Sequence, residues 1–256
     1  MVVAITRPVS PAIERCELTH LTREPIDLAR ARAQHAAYED CLELLGSRVE
    51  RLPAEPDLPD SVFVEDCAIV LDELAVIMRP GAPSRRPEIV AVERALTSYR
   101  PIARIAAPAT IDGGDVLRVG RILFVGLSGR TTPSAVEQLT ALLDPFGYAV
   151  VAVEVRGCLH LKSAVTEAAP GVLLANPAWT GDWIERFERV EVAPGEAFGA
   201  NGVRVGDTFL YPSAFPRTRD RLETAGIHTC QVDVSELAKA EGAVTCCSLV
   251  FDAAGA

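Results

Sequence analysis

Four stretches of this sequence concentrate groups able to do chemistry. Asp60-Ser61-Val62-Phe63-Val64-Glu65-Asp66 sets three carboxylates around one aromatic ring. Asp112-Gly113-Gly114-Asp115 places two acids about a glycine pair, and Leu159-His160-Leu161-Lys162 places an imidazole between leucines. Near the end, Glu241-Gly242-Ala243-Val244-Thr245-Cys246-Cys247-Ser248 supplies adjacent thiols. Each stretch alone has a plain explanation: a strand end with solvated acids, a D-G/G-G turn, a core histidine, buried small hydrophobes. Together they hold a thiol, an imidazole, a carboxylate and a separate acidic cluster, the inventory of a cysteine hydrolase acting on a cation. Acids beside a flat aromatic suit a flat cation such as guanidinium. A free thiol is only a few per cent ionised at neutral pH, so it needs a nearby positive charge, which a bound guanidinium can itself provide.

Other chemistries lose support. There is no G-x-G-x-x-G, no Walker-type G-K-[ST], no H-E-x-x-H and no C-x-x-C, and adjacent Cys246 and Cys247 are poorly spaced for one tetrahedral zinc. The 256 residues carry a formal net charge of −10, from 25 Lys+Arg against 35 Asp+Glu. That acidity argues against nucleic acid or an anionic membrane as partner. No apolar run is long enough to span a membrane, and the N-terminus does not read as a signal peptide. With an odd count of seven cysteines, these features give the expectation of a reducing, cytoplasmic setting.

The elements that must position these groups alternate between helices and paired short strands. A helix is expected over Pro25 to Leu45, where Leu28, Ala31, His35, Tyr38, Leu42 and Leu45 form one stripe. Further helices are expected from Pro87, from Pro133 to before Pro145, and near Arg217 to Ala225. Strand pairs are expected at Ser61–Val70 with Ala75–Met78, Asp115–Val119 with Ile122–Val125, Ser163–Glu167 with Val172–Leu174, and Gly202–Val205 with Thr208–Tyr211. A fifth pair would join Ala243–Phe251 to Val2–Thr6. Strand alternation puts Phe63 and Glu65 on one face and Asp66 on the other, so Asp66 joins them only across a bend or bulge. The recurring pattern suits a repeated ββαβ-type unit, and no linker marks a boundary, so the whole chain, 1–256, reads as one catalytic domain.

The ordered set, from Asp60–Asp66 through Arg79-Pro80-Gly81…Ser84-Arg85-Arg86, D-G-G-D and L-H-L-K to Thr245-Cys246-Cys247-Ser248, resembles the dimethylarginine dimethylaminohydrolase family of guanidine-modifying enzymes, the pentein superfamily. The resemblance implies an α/β fold, a five-bladed propeller of ββαβ modules around a central pocket. It also implies hydrolysis of Nω-methylated L-arginine, a small-molecule partner, to L-citrulline, with no cofactor or metal, and it leaves a homodimer open. Carried over residue by residue, Cys246 is the nucleophile, His160 the general acid/base and Asp112 the acid orienting the imidazole. Asp60, Glu65 and Asp66 are the pocket carboxylates, with Phe63 beside them. Arg85 and Arg130 hold the substrate α-carboxylate, and Leu18 lies on a loop covering the pocket. Glu241, where many relatives have Asp, receives no role, and neither do Cys158 and Cys247. Arginine and agmatine deiminases, amidinotransferases and a non-catalytic pentein are the competing readings.

Overall fold

The computed structural model describes residues 1–253. Its strands are β1 (Val2–Thr6), β2 (Arg48–Arg51), β3 (Ala68–Val70), β4 (Ala75–Ile77), β5 (Ile102–Arg104), β6 (Val116–Val119), β7 (Ile122–Leu127), β8 (Ala149–Glu154), β9 (Val165–Ala169), β10 (Val172–Ala175), β11 (Glu188–Glu191), β12 (Val203–Val205), β13 (Thr208–Pro212), β14 (His228–Val232) and β15 (Leu249–Asp252). They form five three-stranded sheets, ordered β15-β1-β2, β3-β4-β5, β6-β7-β8, β9-β10-β11 and β12-β13-β14. Each sheet repeats one plan: an antiparallel pair, then a third strand parallel to the second. Parallel neighbours need a crossover. The longer helices supply it in four sheets: α1 (Leu28–Leu44), α2 (Ile89–Leu96), α3 (Pro133–Leu143) and, after the short α4 (Leu161–Ala164) and α5 (Pro177–Thr180), α6 (Pro216–Thr224). A last short helix, α7 (Ser235–Ala238), leads to the C-terminal thiols.

The strands β3, β6, β9, β12 and β15, one from each sheet, all border one central channel. This is the five-module α/β propeller, and the ring closes where β1 pairs with β15, Val2 opposite Asp252 through Ile5 opposite Leu249. Closure brings Cys246, three residues before β15, to the centre beside segments far away in sequence.

Local chemistry sets the element bounds. The α1 helix starts three residues later than Pro25 because Asp27 caps it, its side chain accepting the Arg30 N–H at 3.0 Å. Ala31, His35, Tyr38 and Leu42 are its buried face, as the stripe required. Around Pro87 the chain is first a 3-10 segment, Pro83–Glu88, and turns α-helical only at Ile89. The largest departure lies at Ser61–Val70. Only Ala68–Val70 is strand, and Val64–Cys67 is a 3-10 turn. Strand alternation therefore does not govern Phe63, Glu65 and Asp66. A three-residue turn fans consecutive side chains around its axis, which separates Glu65 from Asp66 without any bulge.

Candidate active site

The acidic segment is folded by Arg85. Its Nη2 donates to the carbonyls of Phe63 at 3.0 Å and Asp60 at 3.4 Å, and its Nη1 donates to Asp66 Oδ2 at 2.5 Å. Nε and Nη2 also reach the Glu88 carboxylate at 3.0–3.3 Å. Arg85 is thus nearly saturated by its own protein, and its guanidinium borders the pocket by one edge. The far oxygen of Asp66, Oδ1, accepts the Gly114 N–H at 2.9 Å. Burial would raise the Asp66 carboxyl, but His160, Arg85 and the Gly114 amide outweigh it and hold the group near a pKa of about 2.

The D-G-G-D turn does three jobs. Asp112 accepts the Gly81 N–H on Oδ1 at 2.8 Å and meets His160 Nε2 with Oδ2 at 3.1 Å. Gly114 lets the ring close in: a Cβ there would lie 2.7 Å from His160 Nδ1. Asp115, fully buried, accepts Ser128 Oγ and Thr131 Oγ1, each at 2.6 Å, and the Leu161 N–H at 3.0 Å. It fixes the backbone directly after His160. Burial alone would lower the His160 pKa, yet Asp66, the Asp112 hydrogen bond and Asp115 together push it up to about 9. The imidazole is a cation at neutral pH, and both its nitrogens are donors.

Cys246 follows Thr245 in a 3-10 turn. Asn201 places that turn, accepting the Thr245 N–H at 3.1 Å and donating to Thr245 Oγ1 at 2.9 Å and to the Lys162 carbonyl at 3.0 Å. One amide side chain therefore ties the thiol turn to the short helix that follows His160. Tyr38, from α1, supports the other side by donating to the Val244 carbonyl at 2.9 Å. Cys246 keeps a partly open face, but its sulfur lies deep. Burial, then Glu65 and Asp66, push its thiol up to about 12.

These groups share one small cavity, lined by Cys246, His160, Asp66, Asp60, Phe63, Arg85 and Arg130 together with Glu17, Leu159, Ala240, Glu241 and Gly242. Gly242 must lack a side chain, since a Cβ there would lie 2.2 Å from the Phe63 ring. Asp112 stands behind His160, outside the lining. One residue expected in the pocket is placed elsewhere. Glu65 turns to the central channel and pairs with Lys162 Nζ at 2.5 Å, leaving its other oxygen without a partner. Leu18 packs against the hydrophobic cluster that includes Phe63 and does not line the cavity, whereas its neighbour Glu17 does. Asp115, Asn201, Glu88 and Glu17 escaped sequence reading. Asp115 stood inside the D-G-G-D signal; the others carry no local motif.

Ligand atoms of Asp66, Asp112 and His160 lie within 4.8 Å of one another, as a metal would require. Asp66 already meets Arg85 and Asp112 already meets His160, so an ion would have to displace or adjoin two resident cations, and the donor set is poorly suited to one.

Comparison with known proteins agrees with this geometry. Residues 51–166 match the family model described as arginine deiminase. An N(G),N(G)-dimethylarginine dimethylaminohydrolase of Streptomyces coelicolor is 39% identical over 248 residues, covering 96% of this chain and 95% of that protein. The chain belongs to the dimethylarginine dimethylaminohydrolase family. The Pseudomonas aeruginosa member is 33% identical over 251 residues, covering 95% of this chain and 96% of the relative. A solved structure of that enzyme, a Cys-to-Ser mutant complexed with citrulline, superposes with a TM-score of 0.91 at 32% identity, covering 97% of this chain and 98% of the other. A further structure of the family is an adduct with S-methyl-L-thiocitrulline. The N-terminal domain of ArgZ, a cyanobacterial arginine dihydrolase, shares the fold, with a TM-score of 0.88 at 20% identity.

Proposed function

We propose that this chain, acting as one catalytic unit, hydrolyses Nω-methylated L-arginines to L-citrulline and methylamine or dimethylamine. The observation that carries the reading is the meeting of Cys246, His160 and Asp66 in one cavity, with Asp112 bonded to the histidine. The family's citrulline complex and thiocitrulline adduct support the same substrate shape.

In this reading Asp66, held ionised, accepts hydrogen bonds from the substrate guanidinium, and Asp60 adds a second negative charge at the wall. The guanidinium charge lowers the thiol pKa, and the Cys246 proton is lost to solvent. The thiolate adds to the central carbon. The His160 imidazolium gives its proton to the departing amine, since a neutral amine leaves far better than an amide anion. A covalent thiouronium remains. His160, now neutral, takes a proton from water as that water attacks the same carbon. Collapse expels the thiolate and leaves the ureido group of citrulline. Asp112 keeps the imidazole oriented and favours its charged form. Arg130, with one guanidinium nitrogen donating only to Thr19 Oγ1 at 3.1 Å, is the arginine free to hold the α-carboxylate. Arg85 acts chiefly by holding Asp66.

The cellular setting is the reducing cytoplasm, consistent with seven free thiols. The direct test is incubation with Nω,Nω-dimethyl-L-arginine and mass-spectrometric detection of citrulline and dimethylamine, with arginine and agmatine as parallel substrates. Absence of citrulline, or its abundant formation by Cys246→Ser, refutes the reading.

A further inference from the structure

Glu241 stands in the wall of the cavity, and no step of the reaction above uses it. Its carboxylate accepts three consecutive backbone N–H groups: Thr19 at 3.0 and 3.1 Å, His20 at 2.5 Å and Leu21 at 2.6 Å. Successive amides converging on one anion form a concave anion-binding nest. Here the anion is a side chain from the other end of the chain, and the nest is the loop over the pocket.

The backbone of Glu241 supplies an independent observation. The turn after α7 is closed by Glu241 N–H to the Ala238 carbonyl and Gly242 N–H to the Leu237 carbonyl, each 3.1 Å. This pair of bonds is the Schellman ending, which puts a left-handed residue between them, usually glycine. Glu241 occupies it with φ +57°, the one non-glycine at positive φ among the described residues. Glycine takes that conformation freely, while a glutamate is strained there. The helix ending gains nothing from this side chain; the loop over the pocket does.

Three further ties hold the same loop, one of them Ser84 Oγ donating to the Glu17 carboxylate at 2.5 Å. The Glu17 N–H reaches both Asp60 oxygens at 3.1–3.3 Å, and Arg130 Nη2 reaches Thr19 Oγ1 at 3.1 Å. Asp60 and Arg130 are groups assigned above to the substrate. When substrate engages them they are drawn from the loop; Ser84 still holds the Glu17 side chain, and Glu241 remains as the tie on the loop's backbone.

We propose that Glu241 is a positioning residue: it clamps residues 17–21 over the pocket through their backbone amides and keeps the loop seated while Asp60 and Arg130 are handed to the substrate. The inference rests on the reading of the pocket as a substrate site, but the clamp is testable without turnover.

The decisive variant is Glu241→Gly, which relieves the backbone and deletes the clamp; isosteric Glu241→Gln removes the charge and one acceptor. Both are compared with the wild type by tryptic cleavage at Arg15 and Arg23, identified from the fragment ends. The rate of Cys246 alkylation by iodoacetamide and the separate kcat and KM are measured alongside. Glu241→Gly is expected to melt no lower than wild type. Cleavage at those two bonds should accelerate on the order of tenfold, the equivalent of about one net hydrogen bond. Cys246 alkylation should rise, KM should increase more than kcat falls, and Gln should lie between. Unchanged cleavage and alkylation in Glu241→Gly overturn the clamp, as does a loss of kcat with KM unchanged. If wild type makes no citrulline, the functional reading fails, while the cleavage and alkylation rates still decide the clamp.

Discussion

The Cys246 thiol is pushed from an ordinary value of 9.0 to about 12 by burial and by the negative charge of Glu65 and Asp66. At pH 7 that leaves a thiolate fraction on the order of 10⁻⁵, against about 10⁻² for an unperturbed thiol. Nucleophilicity must therefore arrive with the substrate. A guanidinium seated against Asp66 cancels the electrostatic part of the shift and offers the thiolate a counter-ion. Were it to restore only the ordinary value, the thiolate fraction at fixed pH would rise roughly a thousandfold. The assay is the ultraviolet absorbance of the thiolate as a function of pH, with Cys246→Ser as the blank. It is run alone, with a cationic arginine analogue that is bound but not turned over, and with citrulline. Citrulline has nearly the same shape and no charge, so it separates electrostatics from dehydration. The cation should move the titration down by units and citrulline should not. An equal shift with both ligands, or a thiol already ionised near neutrality in the free protein, refutes the reasoning.

Three further outcomes follow from the ion pairs. Arg85→Met strips the partners of buried Asp66 and Glu88 and should cost about 3–5 kcal/mol of stability besides activity. Arg130→Met should leave the melting temperature nearly unchanged and raise KM, and equal melting losses in the two would contradict the division of labour. Lys162→Met leaves Glu65, whose carboxyl burial already raises, without its cation. A raised carboxyl stabilises the fold while protonated and loses that contribution as pH climbs past its folded value. Denaturant melts should therefore show the variant's deficit growing from mildly acidic toward alkaline pH, and a deficit independent of pH counts against this. His160, raised from 6.5 to about 9, contributes stability in full below 6.5 and loses it as pH rises through 9. Asp112→Asn should shrink that loss and move the alkaline limb of the activity profile to lower pH; an unmoved limb would dissociate Asp112 from the imidazole.

What could be read from sequence was what repeats or what is local. The hairpins at Val116–Val119 with Ile122–Leu127 and at Val203–Val205 with Thr208–Pro212 lie where alternating hydrophobics flank a turn. The helix at Pro133–Leu143 begins at its proline and stops before Pro145. The third strands, such as Arg48–Arg51 and Glu188–Glu191, are short, partly exposed edges with mixed polarity, so no period marks them. Segment Val64–Cys67 misled because its composition suits a strand, while Arg85, nineteen residues from Asp66, holds the Asp66 side chain and the Asp60 and Phe63 carbonyls that lead into the turn. The same distance hid Asn201 and Glu88: their work is to join segments, and a single sequence carries no mark of who meets whom.

The electrostatics of the centre explain why a cation is the fitting guest. Asp60, Glu65, Asp66, Glu88, Asp112 and Asp115 are all buried, against the cations Arg85, His160 and Lys162 paired with them, Arg7 bonded to the Ser61 and Glu88 carbonyls, and Arg130 on the cavity wall. Positive charge is in short supply, and the deficit registers in the acids. Burial outweighs the partners at Asp60, Glu65 and Asp115, and it lifts Glu88 to about 7 despite Arg85. A guanidinium that enters this cavity faces Asp60 and Asp66 on its wall, so part of its binding energy comes from the protein's own unbalanced charge. Hydrolysis converts the guanidinium to a neutral ureido group and returns the deficit. The arrangement that draws the substrate in therefore holds its product less strongly.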